Sequence, residues 1–391
     1  MNPSDDERPS RRRALQAVGA IGAAAAGGAV IAAALGSSDG NSGGTTGTLS
    51  SGGVTQAART LRMVTTWPRD FPGLGTGAER LARRIEAASG GALRVIVHAA
   101  GELVPALAAF DAVSSGKADL YHGAEYYWQG RSPAFNFFAA VPMGLTAAET
   151  NAWIRFGGGQ QLWDRLSARF NIKPLIAGNT GVQMGGWFKR PIRSLADFQG
   201  LRIRMPGLGG EVMKRLGATP VTKAGGELFQ ALDQGNIDAS EWVGPWNDMA
   251  FSFHSIVKNY HYPGIHEPGT TLSLGVNLDL WDALSPTERA IMETAAAAET
   301  IEMFSEFEQE NAAALERLLK MPDINIAPFP DEVLRQLAEI SEKVLAEVAA
   351  GDAFTGEVYR SFRAARARGE RWGAISERAF AHARSFLPEG G

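Results

Sequence analysis

The stretch LRMVTTWPRDFPGLGTGAERLARRIEAASGGALRVIVHA, residues 61–99, reads as strand, loop, helix, strand. Residues 61–67 alternate as a strand does, with successive side chains on opposite faces. The Pro- and Gly-rich run over 68–77 predicts a loop. Leu81, Ala82 and Ile85 recur at helical spacing, predicting a helix over 79–88 that Gly90-Gly91 closes. The β-branched run over 93–99 is a second strand. Further on, 104–115 predicts a second helix and 118–122 a third short strand. Strands and helices alternating in this order imply a parallel sheet with helical crossovers.

A second unit of the same kind starts near residue 173. Strands are expected over 173–177, 184–188, 201–205, 219–222 and 237–242, with helices over 210–216 and 227–234 and a turn over 195–198 capped by Ser194. Residues 270–277 alternate again and are expected to rejoin the first sheet. From Ser285-Pro286, a helix start, long helices dominate. A strand-like 324–329 interrupts them, and helices over 353–368 and 372–386 finish the chain. The expected organisation is an α/β lobe I over 59–180, an α/β lobe II over 181–268, and a return strand with C-terminal helices over 269–391. Two lobes joined by more than one crossing enclose a cleft, the usual place for a small ligand, and can close on it by hinging.

With 391 residues the chain is long enough for two cores, and 45% hydrophobic with 20% charged residues marks it as globular. A net charge of -4 gives no basic patch for nucleic acid. The absence of cysteine excludes disulfides, thiol catalysis, zinc ribbons and an N-terminal lipidated cysteine. Six histidines occur, none in a tight metal-ligand spacing. Arg11-Arg12-Arg13 followed by a weakly apolar Ala/Gly stretch resembles a Tat export signal over 1–35, with an uncleaved anchor or basic tail as the alternative. The Gly/Ser/Thr-rich 36–58 reads as a flexible tether.

Three polar residues stand at expected strand ends. Arg204 follows Leu201-Arg202-Ile203 and precedes Pro206-Gly207, where a guanidinium can take a carboxylate by two parallel hydrogen bonds, or make a surface salt bridge. Glu241 lies beside Trp242 and near Trp246, where a buried carboxylate needs a partner. A hard cation is one such partner and a capping or salt-bridge role is another. Gln183, in the Gly-rich NTGVQMGGWF of 179–188, can supply that cation with a neutral oxygen, or simply belong to a turn. The aromatics Trp67 and Tyr126-Tyr127-Trp128 are pocket or core. The glycines of 207–210 lack the third glycine of a dinucleotide fingerprint, since Val212 stands there, and those of 73–77 lack a phosphate-loop lysine.

SLADFQGLRIR at 194–204 and ELFQALDQGNID at 227–238 resemble motifs of the solute-binding proteins of TRAP transporters. NTGVQMGGWF, IDASEWVGP at 237–245, GELVP at 101–105 and the Tyr-Tyr-Trp run at 126–128 are similar to the branch of that family that binds 2-oxoacids, which also includes lactate binders. The resemblance runs from about residue 61 to the C-terminus. It implies a two-lobe, periplasmic-binding-protein-like α/β fold with an interlobe cleft, long connecting helices and a C-terminal helical extension. It also implies that Arg204 pairs with a solute carboxylate. Gln183, Glu241 and the Trp242 carbonyl would hold a sodium or calcium ion bridging that carboxylate. Asn179, Tyr127 and Glu267 fall where further ligand contacts are expected, and Trp67, Trp246 and His266 differ from the aromatics of close relatives. Periplasmic localisation, a small carboxylate solute, TRAP permease partners and a homodimer built on the C-terminal helices follow from the same resemblance. Two other classes stay open. One is a metal-dependent enzyme with Glu241 as base, which lacks a second acid, a nucleophile and a cofactor motif. The other is a sensing module that presents solute to a receptor.

Overall fold

The computed structural model describes residues 58–388. The expected signal over 1–35 and all of the tether but residue 58 lie outside the described residues. In chain order the first part runs β1 (Arg59–Thr65), α1 (Gly75–Ala88), β2 (Leu93–His98), α2 (Ala109–Ser114), β3 (Leu120–Gly123), α3 (Ala147–Phe156), α4 (Gly159–Ser167) and β4 (Ile172–Asn179). The middle part is β5 (Gly186–Phe188), β6 (Arg202–Arg204), α5 (Gly207–Arg215), β7 (Thr219–Val221), α6 (Leu228–Asp233), β8 (Ala239–Ser240), α7 (Pro245–Ala250), α8 (Phe253–Ile256) and β9 (Asn259–Tyr262). It closes with β10 (Thr271–Asn277), α9 (Leu278–Ala283), α10 (Pro286–Leu319), β11 (Asn325–Pro328), α11 (Asp331–Ala350), α12 (Ala353–Ile375) and α13 (Glu377–Arg384).

Two sheets result. One has the order β2-β1-β3-β10-β4, with β1 parallel to both β2 and β3, and β10 antiparallel to β3 and β4. The return of 270–277 to the first sheet is therefore observed. The other has the order β11-β9-β5-β8-β6-β7, and the strand-like 324–329 supplies its edge, β11, parallel to β9. The chain passes between the sheets from β4 to β5, from β9 to β10, and again along α10. These passages bring buried residues from the ends of both sheets together.

The 34-residue α10 is the strut of the molecule. Ser285 caps it with Glu288 in a reciprocal pair, and Pro286 occupies the first turn, as expected of that sequence. It packs on β4, α1 and α7. Glu299, wholly buried on α10, takes Arg80 of α1 at 2.7 Å. A carboxylate at that depth requires such a partner.

Several expectations are corrected. Helix α1 starts at Gly75, not residue 79, because its glycines serve helix packing rather than a loop: a Cβ on Gly77 would lie 2.3 Å from Met303 Cε of α10. The strand expected over 237–242 shrinks to Ala239–Ser240, since Glu241 and Trp242 turn out of the sheet. The two terminal helices are divided at Ser376, not near residue 370, and Gly369 stays helical against the Glu149 side chain. Residues 123–171, where the sequence pattern predicts no element, hold α3 and α4, pinned by Phe138 stacking between Trp153 and Trp163 at 5.3 Å from each. No helix among the described residues is long and apolar enough to cross a membrane.

Candidate functional site

Parallel pairing of β6 with β8 sets Arg204 beside Ser240, so the next residue, Glu241, meets the arginine side chain. Arg204 Nη1 donates to Glu241 Oε1 and, at 3.4 Å, to the Glu241 carbonyl. Its Nε donates to Lys223 O at 3.2 Å and its Nη2 to the Tyr127 hydroxyl at 3.2 Å. The guanidinium also stands 5.0 Å from the Trp242 ring centre, a cation–π distance. Arg204 and Glu241 are 1% and 0% exposed. The alternative of a surface salt bridge therefore describes Arg202, which pairs with Asp238 at 2.6 Å in the open, and not Arg204.

The two passages between sheets supply the rest. Gln183 N donates to Glu267 O at 3.2 Å, and Gly264 N donates to Gln183 O at 2.8 Å, locking the passages together. The Gln183 Nε2 group donates to Glu267 Oε2 at 2.9 Å, to Thr270 Oγ1 at 2.9 Å and to Thr180 Oγ1 at 3.2 Å. Its Oε1 is buried and has no partner. Thr270 and Tyr126 also donate hydroxyls to Glu267 Oε2, the latter at 3.4 Å. His266 Nε2 lies 3.2 Å from Glu241 Oε2. Burial, reinforced by the Glu241 charge, pushes the Glu267 carboxyl up to about 7. Burial works against a charged His266, but its hydrogen bond and attraction to Glu241 outweigh this and hold it above its ordinary value. Burial also raises Tyr126 and Tyr127, keeping both phenols neutral, Tyr126 as a donor to Glu267 and Tyr127 as an acceptor from Arg204.

Trp67 forms a wall of the same region, edge-on to Trp242 at 6.4 Å and tilted toward Tyr127 at 6.5 Å. Its indole N–H donates to His122 Nδ1 at 2.8 Å, and His122 Nε2 faces Ala177 O at 3.2 Å. These partners require a neutral ring protonated at Nε2, and burial lowers its pKa to about 4. Asn179 spends its side chain on the passage out of β4, accepting from Gly181 N at 2.9 Å and donating to Thr271 Oγ1 at 3.3 Å. The glycines expected to let backbone approach a ligand instead admit other protein groups. A Cβ on Gly185 would strike Phe329 at 2.3 Å, and Gly186, at φ 118°, lies against Ser240 O.

The sequence reading missed Asp248 and Thr270, and noted His266 only for its size. Asp248 accepts from Val243 N at 3.2 Å, Trp187 Nε1 at 3.0 Å and Tyr260 OH at 2.7 Å, fixing the backbone just after Trp242. Only the clustering of buried polar residue types in 240–248 hinted at it. The donor set fits a hard cation. Glu241 and Glu267 supply carboxylates, and the orphan Gln183 Oε1 is a buried oxygen whose lack of a partner costs about 1–3 kcal/mol.

The family model described as bacterial extracellular solute-binding protein, family 7 (DctP), matches residues 63–352. The chain belongs to that family of solute-binding proteins. It is 40% identical over 316 residues, 81% of this chain and 86% of the relative, to the monocarboxylate 2-oxoacid-binding periplasmic protein of Nostoc sp. strain PCC 7120. A TRAP periplasmic solute-binding protein of Pseudoalteromonas atlantica T6c, solved with bound sodium and pyruvate, superposes with a TM-score of 0.81 at 35% identity, covering 83% of this chain and 99% of that one. A TRAP transporter solute-binding protein of Bordetella bronchiseptica RB50, a mixed-occupancy dimer with calcium and picolinate, gives 0.82 at 31% identity, covering 84% and 97%. The two-lobe α/β fold with its long C-terminal helices is thus the fold of TRAP solute-binding proteins.

Proposed function

We propose that this chain is the solute-binding subunit of a TRAP transporter and captures a small 2-oxo or 2-hydroxy monocarboxylate, such as pyruvate, together with a sodium or calcium ion. The observation that carries this is the buried Arg204–Glu241 pair beside the unpartnered Gln183 oxygen. Arg204 and the Tyr127 hydroxyl hold the carboxylate. Gln183, Glu241 and the Trp242 carbonyl hold the ion, which supplies a positive centre for the solute carboxylate near Glu241. Glu267 and Trp67 close the pocket, and Asn179 supports it. These side chains are buried between elements of both sheets, so the lobes, drawn as 59–180 and 181–268, must part at the passages for a solute to enter. No covalent step is assigned, since both Glu241 oxygens already serve partners.

Export by the Tat route into the periplasm and hand-over to TRAP permease subunits complete the reading. A homodimer through the C-terminal helices is favoured by Trp372 and Phe386, 69% and 75% exposed there. Calorimetry on chelator-treated protein tests the function. Pyruvate should bind stoichiometrically, without turnover, and more tightly with calcium or sodium present. Absence of binding to any 2-oxo or 2-hydroxy acid in either salt removes the reading. A monomeric mass by light scattering removes the dimer.

A further inference from the structure

Trp67 is held more firmly than packing alone requires. Parallel pairing of β1 with β3 sets Thr65 beside His122, two residues short of Trp67. The Trp67 indole N–H reaches His122 Nδ1 at 2.8 Å, and His122 Nε2 faces Ala177 O at 3.2 Å. The backbone is tied as well. Trp67 N donates to Thr65 Oγ1 at 3.3 Å, and Trp67 O accepts from Thr65 Oγ1 at 3.1 Å and from Ala100 N at 2.9 Å. Trp67 and His122 are both buried. A swing of the indole would strand a buried donor and a buried acceptor without partners, so this rotamer is costly to leave.

The locked ring bridges the two flanks of the carboxylate anchor. Arg204 has the Tyr127 hydroxyl at 3.2 Å on one flank and the Trp242 ring centre at 5.0 Å on the other, while Glu241 and Lys223 O take further N–H groups. Trp67 meets both flanks, 6.5 Å from the Tyr127 ring and 6.4 Å, edge-on, from the Trp242 ring. Those are contact separations for aromatic rings. A solute whose carboxylate meets Arg204 between these flanks therefore points its other end at Trp67. There it meets carbon only, because the single polar atom of the indole is turned to His122.

We infer, resting on the solute-capture reading above, that Trp67 sets the length of solute the chain accepts and that His122, acting through Trp67, is its positioning residue. The ligand class is then narrower than 2-oxo or 2-hydroxy monocarboxylates at large: acids with an unbranched, apolar tail of about one or two carbons. A longer or branched tail has to displace a ring that is tied to two strands.

The test is calorimetry of the full chain, in calcium and in sodium salt, with pyruvate and with 4-methyl-2-oxopentanoate. The wild type should bind pyruvate more tightly by about tenfold or more. Trp67→Ala should lower that affinity ratio by about tenfold, and so should His122→Phe, which keeps a ring but lacks the acceptor. His122→Asn, whose side-chain oxygen can stand in for Nδ1, should keep the wild-type ratio. General loosening of the fold would weaken both acids together and leave the ratio alone. An unchanged ratio in folded Trp67→Ala or His122→Phe overturns the inference, and a ratio in His122→Asn as low as that of His122→Phe overturns the positioning role. If the variants do not fold, the wild type decides: 4-methyl-2-oxopentanoate bound as tightly as pyruvate overturns the inference and leaves solute capture standing. No binding of either acid, or of any other 2-oxo or 2-hydroxy acid, in either salt removes solute capture and the inference with it.

Discussion

Replacing Arg204 by alanine strands Glu241. Both side chains are almost wholly buried, and the guanidinium reaches the carboxylate and the carbonyl of Glu241 together. Deleting one partner of a buried ion pair costs about 3–5 kcal/mol, because the surviving charge stays in a medium of low dielectric. His266, 3.2 Å from the other Glu241 oxygen, takes up part of that charge, which puts the expected loss near the lower figure, about 3 kcal/mol. Arg204→Ala combined with Glu241→Gln removes the stranded charge, so the double variant should be less destabilised than the two single losses added, with a coupling of about 1–3 kcal/mol. Urea unfolding followed by tryptophan fluorescence reads this from midpoints at constant slope. Additive losses would refute the claim that the pair is a unit. The same Arg204→Ala change should weaken oxoacid binding by about 2–4 kcal/mol, roughly thirtyfold to several hundredfold, through lost charge-assisted bonds. Unchanged affinity would take Arg204 out of the site.

Two further outcomes follow from buried groups elsewhere. Burial pushes Glu125 up to about 7 and Asp248 up to about 7 from ordinary values of 4.5 and 3.8. Between those limits the folded chain keeps protons that the unfolded chain has lost. Stability should therefore fall as pH rises from about 4 toward 7, by about 1.4 kcal/mol per unit for each group. Urea midpoints at pH 5 and pH 8 measure this, and Glu125→Gln should flatten the fall; a midpoint that climbs over the range, unaltered by the variant, contradicts it. Gly275→Ala places a Cβ 2.0 Å from a Tyr121 ring carbon, and the Tyr121 hydroxyl is tied to Glu125 at 2.7 Å. The overpacking should cost about 1–3 kcal/mol, and an unaltered calorimetric Tm would show that the ring yields freely.

The first sheet was legible because buried parallel strands carry dense apolar runs, as in 93–99, and because Gly90-Gly91 ends α1 where the periodicity does. The start of α1 was not legible, since glycines at 75 and 77 signal a loop unless Met303, more than two hundred residues on, is known to lie against them. Residues 237–242 read as one strand, and nearly every side chain there is buried, in the sheet or out of it, so no alternation marks where Glu241 departs. Arg204 and Glu241 were legible as candidates for one site because each ends an expected strand with a loop signal behind it, but their direct contact was not. His266 was not legible as their neighbour, because its contact depends on how the passage from β9 to β10 folds back over β8.

The arginine's own hydrogen bonds bear on how the site could work. A guanidinium has five N–H groups. Four of those on Arg204 are directed at Lys223, Tyr127 and two oxygens of Glu241. One remains, so a solute carboxylate cannot take two parallel bonds without displacing a partner. Tyr127 is the partner best able to yield, since a phenol that gives up its role as acceptor can turn its O–H toward the incoming carboxylate and remain bonded. Glu241 is the partner least able to yield, because its charge would then lie buried beside that of the solute. A monocarboxylate arriving alone adds a negative charge to a pair that is already neutral. A cation on the Glu241 side offsets that charge and gives the Gln183 oxygen its missing partner. Ion and solute binding are therefore expected to reinforce each other by the same factor in either order, as linkage requires.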